Sequence, residues 1–422
     1  MIKKYDRYKD SGVEWLKEIP KEWPVAKFKR FAKIRNGKDQ KAVLTENGEY
    51  PVLGTGGEFG RANEFLYDQP SLLLGRKGTI DKPQFIEVPF WTVDTLFYTE
   101  VLEDNSPKYL YYFSQIFPFS LLQESSAVPS MTQGKLHNLE LCKPSREEQT
   151  KIAEYLDHQT GLIDAIIEKK QQLIEKLKEQ RQAIINEAVT KGLDPNVPMK
   201  DSGVEWLGEI PEHWKVAKLK FLTEKIIDGA HFTPTYVDEG IPFLRVTDIQ
   251  THEINLSKVK FIPKEEHDEL IKRCRPEKGD VLLSKNGTIG ITKVINWDWE
   301  FSIFVSLCLI KFKEELSPFY FSHFFNSSIV DQQIKIGSKT TSVTNLHLDK
   351  IKELLIAIPP TKKEQDRVCE YLDVKLEEID SIISKAEASN KSLLSYRQSI
   401  ISEAVTGKID VREWEPKTAE TV

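Results

Sequence analysis

The most regular feature of the chain is a seven-residue spacing of apolar side chains between residues 144 and 192. One seam carries four apolar residues and one lysine, in the order Leu156, Ile163, Lys170, Leu177 and Ile184. A second seam contains Ile152, Ile166 and Leu173. Such a heptad is typical of a coiled-coil helix, and its apolar stripe is too narrow for the helix to be stable alone. The pattern therefore places both seams at an interface with another helix.

The same pattern recurs between residues 359 and 412, with seams formed by Leu372, Ile379, Leu393 and Ile400 and by Val368 and Ile382. The match extends to polar positions at a constant offset of 216 residues, since Glu148-Gln149 returns as Glu364-Gln365 and Arg181-Gln182 as Arg397-Gln398. We predict two helices of about forty residues, each roughly 60 Å long, that pair with each other. The alternative is two unrelated amphipathic helices in a large core, but a core would not dictate the matching polar residues.

A second repeat opens the chain. The eight residues Lys9–Leu16 return unchanged as Lys200–Leu207, directly after the first long helix and a helix stop and turn at residues 192–198. The first copy has no helix before it. We infer that it packs beside the end of the second helix near Gly407, which would make the molecule a closed pseudo-twofold ring. The Trp and Pro residues of this repeat are interpreted as packing anchors.

Two less similar segments, residues 24–143 and 215–358, lie between the repeats. Short β-branched or aromatic runs broken by glycine predict strands at Pro51–Gly54, Ser71–Leu74, Ile241–Val246 and Ser302–Lys311. Aromatic stretches at Tyr109–Phe117 and Phe319–Phe325 predict buried helices. Each segment has a plausible size for a compact α/β domain. The offset between matching residues grows from 191 to 216, so the second segment is about 25 residues longer.

Length, composition and charge limit the classes of protein to which the chain can belong. The 422 residues, with 40% hydrophobic residues and eight Trp, suffice for two or more domains. No apolar run reaches membrane length and the first residues lack a signal-peptide core, so we expect a cytoplasmic protein without membrane contact. Four scattered cysteines make structural zinc and disulfides unlikely sources of stability. A net charge of −6 argues against indiscriminate nucleic-acid binding.

Three motifs together resemble the conserved regions of the specificity subunits of type I restriction-modification systems. They are Glu-Gln-x-x-Ile-Ala-x-Tyr-Leu-Asp at 148–157, Arg-Gln-x-Ile-Ile-x-Glu-Ala-Val-Thr at 181–190, and Ser-Gly-Val-Glu-Trp-Leu-x-Glu-Ile-Pro at 11–20. Residues Ile227–Pro234, followed by Glu239–Val246, resemble a target recognition domain of that family. The first segment lacks an Asp-Gly-x-His-x-Thr-Pro counterpart and has instead a basic run from Lys27 to Lys41 and Gly54-Thr55-Gly56-Gly57.

The resemblance implies an α+β fold: two α/β target recognition domains separated by two long, antiparallel-paired coiled-coil helices, with a pseudo-twofold internal repeat. The expected divisions are an N-terminal segment 1–23, recognition domain 24–143, helix 144–192, linker and repeat 193–214, recognition domain 215–358, helix 359–412 and tail 413–422.

The same resemblance implies a subunit that reads double-stranded DNA without chemistry of its own. Each recognition domain would read one half of a split site, and the helices would fix the distance between halves and dock two modification (methyltransferase) subunits. Restriction subunits would add translocation and cleavage. S-adenosylmethionine, ATP and Mg²⁺ are expected on those partners and no cofactor or metal in this chain. Half-sites on one face of B-DNA lie roughly 34–36 Å apart, which paired helices of this length could span.

A search for catalytic motifs agrees with this expectation. The glycine cluster Gly54–Gly60 misses the last position of G-x-G-x-x-G, and no P-loop or H-E-x-x-H motif occurs. Pro359-Pro360 is not placed as in a methyltransferase motif. The triplets Glu168–Lys170 and Glu415–Lys417 lie in a heptad helix and in the tail, so neither suits a strand-borne nuclease metal site.

Candidate DNA contacts follow from charge and loop position. The first domain has a basic run with a single acid, Asp39, and it suits either phosphate contacts or a solvated helix face. The basic residues are Lys27, Lys29, Arg30, Lys33, Arg35, Lys38 and Lys41. The equivalent loops before Gly-Thr-Ile carry Arg76-Lys77 and Lys285-Asn286, which are base-contact candidates. Weaker candidates, each of which could be a turn or cap residue, are Arg61, Thr132, Gln133, Lys135, His231, Arg245, Thr247, Asp248, Thr341, Ser342 and Asn345.

Two other classes of protein stay open at this point. A coiled-coil scaffold that binds only proteins would keep the helices, but it would not need two diverged domains with matching polar loops. A self-contained nuclease or methylase would need a catalytic constellation, which the sequence lacks.

Overall fold

The computed structural model describes residues 3–124, 127–251, 253–336 and 345–416. The chain forms two compact units, one made of Met1–Gln171 with Glu387–Val422 and the other of Gln172–Ala386. Within the described residues no helix is long and apolar enough to cross a membrane.

The first recognition segment and its N-terminal repeat contain the following elements, in chain order: β1 (Tyr8–Asp10), β2 (Glu18–Pro20), β3 (Val25–Lys27), β4 (Ala32–Asn36), β5 (Leu44–Thr45), β6 (Tyr50–Gly54), β7 (Gly57–Ala62), β8 (Ser71–Gly75), β9 (Gln84–Ile86), β10 (Trp91–Thr92), β11 (Leu96–Val101), α1 (Pro107–Ser114), α2 (Phe119–Leu122), α3 (Gln133–Asn138) and β12 (Glu140–Cys142). The long helix α4 (Arg146–Lys191) follows.

Among the described residues, the second half repeats this order with one added helix, α6, and without a strand in the place of β5: β13 (Met199–Asp201), β14 (Glu209–Pro211), β15 (Lys215–Lys218), α5 (Leu219–Leu222), β16 (Thr223–Asp228), β17 (Ile241–Leu244), β18 (Lys260–Ile262), α6 (Lys264–Arg273), β19 (Val281–Ser284), β20 (Thr292–Val294), β21 (Ser302–Ile303), β22 (Leu307–Phe312), α7 (Pro318–Phe325), α8 (Ser328–Ile336), α9 (Leu348–Glu353) and β23 (Leu355–Ile358). The second long helix is α10 (Lys362–Val405).

The two long helices pair antiparallel in each unit, as the heptads predict. In the first unit Arg397, near the end of α10, donates from Nε and Nη2 to the two carboxylate oxygens of Asp164 at 2.9 and 3.2 Å. In the second unit Arg181 of α4 donates to Asp380 at 3.0 and 3.4 Å. Asp164 and Asp380, and likewise Arg181 and Arg397, are related by the 216-residue offset. The repeat thus reproduces one helix register in both units.

Burial along the helices corrects one prediction. Leu156, Ile163 and their counterparts Leu372 and Ile379 are buried, but the second-seam residues Ile166, Leu173 and Ile382 are 44–45% exposed. The second row that the long helices bury along their length lies four residues after the first seam, as at Ile174 and Leu376, and not at the predicted second-seam positions. The second seam is buried where a recognition segment also packs on it, as at Ile152 in the core of the first unit and Val368 in that of the second.

The repeated Glu-Gln pair at the start of each long helix has a structural explanation. The indole N–H of Trp23 donates to Glu148, and that of Trp214 to Glu364, at 3.1 and 2.7 Å. Each following glutamine accepts from the backbone N–H of a serine that precedes a recognition-domain helix, Ser106 before α1 and Ser317 before α7. The polar identities in the repeat therefore attach two separate segments to the start of each long helix.

The N-terminal repeat packs on the end of α10, as expected from the sequence. Gly407 follows the helix with φ +71°, and the N–H groups of Gly407 and Lys408 bond to the carbonyls of Ala404 and Glu403, which is the Schellman pattern. The Tyr8 hydroxyl donates to the Gly407 carbonyl at 3.0 Å. A Cβ at position 407 would lie 2.4 Å from Pro20 Cγ. Gly192, with φ +74°, faces Trp214 in the same way at the end of α4.

The recognition segments share one sheet plan. The four-stranded sheets β4-β11-β8-β9 and β16-β22-β19-β20 are antiparallel. Each segment also has a second sheet, β10-β6-β7-β5 in the first and β18-β17-β21 in the second, in which β10 pairs parallel with β6 and β21 with β17. The predicted strands and aromatic helices are present, except that Ser302–Lys311 is broken into β21 and β22 and Ile241–Val246 ends at Leu244. Most of the extra length of the second segment lies between β17 and β19, where α6 is inserted after β18, the counterpart of β7.

We predict that Gly407→Ala lowers the thermal stability of the first unit and releases the N-terminal segment, because the new Cβ would meet Pro20 in a backbone conformation that already costs about 1–2 kcal/mol for a residue with a side chain. Gly12→Ala is the matched control, since Gly12 has the same φ of +71° but open space around it. Thermal unfolding and limited proteolysis near residue 20 test this. Equal effects of the two substitutions would show that the contact with Pro20 is unimportant.

Candidate nucleic-acid interface

The polar loops of the first recognition segment meet where several strands end. β4 ends at Asn36, opposite Phe97, and β8 ends at Gly75, opposite Leu96, at the start of β11. The end of β6 joins them, because Val93 N–H donates to Leu53 O at 3.1 Å. We call the loops at this place, residues 37–42, 54–59, 76–79 and 129–133, the first strand-end edge.

The second segment builds the same arrangement. β16 ends at Asp228, opposite Cys308, and β19 ends at Ser284, opposite Leu307. β17 ends at Leu244, paired with Ile303. The loops at residues 229–235, 245–248, 285–290 and 345–347 form the second strand-end edge. Both segments share this arrangement of strand ends, which we call the frame. They differ in the side chains that the frame presents.

Both segments have a glycine at the same place, but only Gly229 belongs to a motif noted in the sequence. Gly37 N–H donates to Leu96 O, and Gly229 N–H to Leu307 O, at 3.1 and 3.2 Å. A Cβ would lie 2.0 Å from Val93 O at position 37 and 2.1 Å from Ile303 O at position 229, so each site requires glycine. Asn36-Gly37 is thus the structural counterpart of Asp228-Gly229, while the His and Thr-Pro of the motif have no equivalent in the first segment.

The basic run of the first segment is neither a helix face nor a single patch. Lys27, Lys29 and Arg30 lie before β4, Lys33 and Arg35 alternate with buried residues along it, and Lys38 and Lys41 lie beyond it on the first strand-end edge. The helix-face interpretation was therefore wrong.

Arg35 already has a partner, because its guanidinium donates to both oxygens of Glu100 at 2.8 and 3.0 Å, and this hydrogen bonding raises its pKa. Lys38 and Lys41, in contrast, are exposed and make no ion pair with any other described residue.

The other candidates of the first segment lie on or beside the first strand-end edge. Arg76 N–H donates to Thr95 O and its guanidinium to Asp94 O, while Lys77 is exposed. Thr132 caps α3, and the Gln133 amide donates to Asn36 Oδ1 at 3.0 Å. Arg61 forms an ion pair with Glu58, and Lys135 with Glu124. Among the described residues, the cations of this edge without a carboxylate partner are therefore Lys38, Lys41, Lys77 and Arg76, and the Arg76 guanidinium is held by a backbone carbonyl.

Cations of the second strand-end edge are neutralised inside the protein. Lys285 is only 6% exposed, and its Nζ lies 3.0 Å from Oδ1 of buried Asp228, whose other oxygen is 3.3 Å from His231 Nε2. Arg245 donates to both oxygens of Asp248, and this hydrogen bonding raises the pKa of the guanidinium. Neither pairing was predicted from the sequence.

His231 and Thr247 are the exposed candidates of the second edge. Thr247 also lies next to Asp248, at 3.4 Å from its carboxylate. Thr341 and Ser342 lie outside the described residues. The described part of the chain contains no group of three or more His, Cys, Asp or Glu residues arranged to hold a metal ion.

The loop before each Gly-Thr-Ile pairs with the segment before a short helix. Lys77 forms an antiparallel bridge with Ser130, and Asn286 with Asn345. Met131 N–H donates to Arg76 O at 2.9 Å, and Leu346 N–H to Lys285 O at 2.8 Å. This pairing connects residues about 55 positions apart, so spacing alone could not reveal it.

Comparison with known proteins identifies a family model and relatives that match most of the chain. The family model described as the type I restriction modification DNA specificity domain matches residues 20–176 and 211–388. The chain is 25% identical to the MjaVIII type I restriction enzyme specificity subunit of Methanocaldococcus jannaschii, over 93% of this chain and 94% of that protein. It is 24% identical to the EcoBI specificity subunit of Escherichia coli, over 83% and 76% of the two chains.

Solved structures show the same fold. A chain from a study of complex assembly and conformational transition of the type I R-M system superposes with a TM-score of 0.71 at 14% identity, covering 93% of this chain and 99% of that one. The HsdS subunit from Thermoanaerobacter tengcongensis superposes with a TM-score of 0.51 at 15% identity, covering 93% and 98%.

We predict that Asp228→Ala destabilises the second unit by about 3–5 kcal/mol, because it leaves the Lys285 ammonium buried without its carboxylate. The double variant Asp228→Ala with Lys285→Met removes both charges and should recover a large part of that loss. Denaturant unfolding of the full chain, followed by the fluorescence of Trp297 and Trp299 in this unit, measures both effects. A double variant as unstable as the single one would contradict the account of this ion pair.

Proposed function

The chain belongs to the family of type I restriction-modification DNA specificity subunits, and from this membership we propose that each strand-end edge reads one half of a bipartite DNA site. The chain is accordingly a DNA sequence-specificity subunit that works with the other subunits of a restriction-modification system. A scaffold without DNA readout is not favoured.

The observation that carries the half-site proposal is the repeated frame with different side chains. Asn36-Gly37 and Asp228-Gly229 occupy the same place, as do Lys77 and Asn286 and, opposite them, Ser130 and Asn345. Base edges are distinguished by the donors and acceptors that face them. Two copies of one backbone frame with different polar groups are therefore suited to two different short sequences.

The two strand-end edges differ in exposed charge, which supports unequal contributions to DNA affinity. Lys38, Lys41 and Lys77 suit phosphate oxygens, which attract cations and position a protein on DNA without reading sequence. The second edge instead presents His231 and asparagine side chains, while Lys285 and Arg245 are held by carboxylates. The first edge would contribute more of the salt-dependent affinity than the second.

We propose that this chain carries no catalytic step. Its buried cysteines contribute to packing, and its ionised pairs support the strand-end edges. S-adenosylmethionine, ATP and Mg²⁺ would be bound by partner subunits. Two modification subunits and the restriction subunits would supply methyl transfer, translocation and cleavage. The second-seam residues Ile166 and Leu173 of α4 and Ile382 of α10, which are 44–45% exposed in this chain, suit contact with such partners.

The long helices would set the number of base pairs between the half-sites. α4 and α10 each continue without a break through residues of both units, and the repeated Asp–Arg pairs fix their register. A change in helix length that preserves the heptad would then alter the spacing, whereas a change in one helix alone would break the register.

The proposed phosphate contacts of the first strand-end edge are tested by the dependence of DNA affinity on salt concentration. Replacing Lys38 and Lys41 by glutamine should reduce the slope of log affinity against log salt concentration by about 0.9 for each lysine that contacts a phosphate. Lys29→Gln is the matched control, since Lys29 is also exposed but precedes β4, at the other end of the strand from the edge. Binding of the assembled methyltransferase to its duplex site measures the slopes. The same slope in the double variant and the wild type would remove these lysines from the interface.

The spacing role is tested by deleting one heptad from both helices, residues 169–175 and the equivalent 385–391. The deletion shortens each helix by about 10 Å and keeps the apolar seam in phase. We expect methylation of the same two half-sites with fewer base pairs between them. Deleting 169–175 alone is the control, and it should abolish methylation. An unchanged spacer in an active double deletion would refute the proposed role of helix length.

A further inference from the structure

We propose that Asn286 and Asn345, which face each other, each read an adenine in the half-site of the second unit. This inference rests on the proposed function and names the base that one part of the second strand-end edge would recognise. It is carried by the geometry of the pair and by the hydrogen-bonding state of its two side chains.

The two asparagines face each other across an antiparallel bridge. Side chains directly opposite in such a pair lie on the same side, with Cβ atoms about 4.5–5.5 Å apart. The backbone beside them is held, because Leu346 N–H donates to Lys285 O at 2.8 Å and Leu346 is fully buried. Lys285 is itself fixed by Asp228. The pair is therefore presented from a rigid base.

The side-chain oxygen of each asparagine has no partner among the described residues. In the described part of the chain, the Oδ1 atoms of Asn286 and Asn345 are buried and have no hydrogen-bond partner. A buried acceptor without a donor is costly, so such groups are uncommon unless another molecule completes them. Turning either side chain outward breaks no hydrogen bond of Oδ1, and both residues are partly exposed.

Adenine has the groups that this pair needs. An asparagine amide can accept from N6 of adenine and donate to N7, which is the bidentate pairing that distinguishes adenine from the other bases in the major groove. In the first unit the equivalent positions hold Lys77 and Ser130. A lysine there suits the O6 and N7 acceptors of guanine instead. One frame position would thus read different bases in the two halves.

The test is a base-resolution methylation map of cells that express the full chain with its modification subunits. Asn286→Ala and Asn345→Ala should each relax an adenine position in one half-site, with discrimination falling on the order of 10-fold to 100-fold, while the other half-site stays unchanged. The double variant Asn286→Lys with Asn345→Ser, which copies the first unit, should shift the preference at that position towards guanine.

Asn296→Ala is the matched control, because Asn296 is exposed just beyond β20 at the opposite edge of the same sheet. It should leave the motif unchanged. An intact motif in both alanine variants, or relaxation at a position without adenine, would overturn the inference. A wild-type chain that directs no bipartite motif would instead overturn the proposed function. The unaffected half-site reports that each variant is folded and assembled.

Discussion

The structure depends on the pairing of two long helices whose apolar stripes are too narrow to be stable alone. Burial of the apolar rows of the two helices supplies the stabilisation, and the Asp164–Arg397 and Asp380–Arg181 pairs fix which residues lie opposite each other. Exposed ion pairs of this kind stabilise by only about 0.2–1 kcal/mol each. Their importance here is in register, because one arrangement is reproduced in both units by a single offset of 216 residues.

The helix ends connect this pairing to the recognition segments. Glu148 and Gln149 hold Trp23 of the N-terminal repeat and Ser106 before α1, and Glu364 and Gln365 do the same for Trp214 and Ser317. Each strand-end edge is thus carried by a sheet whose neighbouring helix is anchored to a long helix. A DNA reader needs this kind of support, because hydrogen bonds to base edges discriminate only when their donors and acceptors are held in place.

The sequence was most informative where residues repeat and least informative where distant strands pair. The heptads predicted both helices, and the Lys9–Leu16 repeat predicted the packing at Gly407, because these features depend on local periodicity or on identity. The exposure of Ile166 and Leu173 was not foreseen, since periodicity does not say how many neighbours a helix has. The counterpart of Asp228-Gly229 was missed because only the glycine is shared, and an Asn-Gly offset by 192 residues was its one signal. Burial of Lys285 and the facing of Asn286 and Asn345 depend on strand pairing that no short motif encodes.

The central claim is that two diverged edges on one repeated frame read two different half-sites. The most direct measurement is a base-resolution methylation map of cells that carry the chain with its modification subunits, before and after residues 215–358 are exchanged for the corresponding segment of a relative with a different target. The account predicts that one half of a bipartite motif changes, while the other half stays the same. Methylation in which both halves stay the same, or in which both change together, would contradict it.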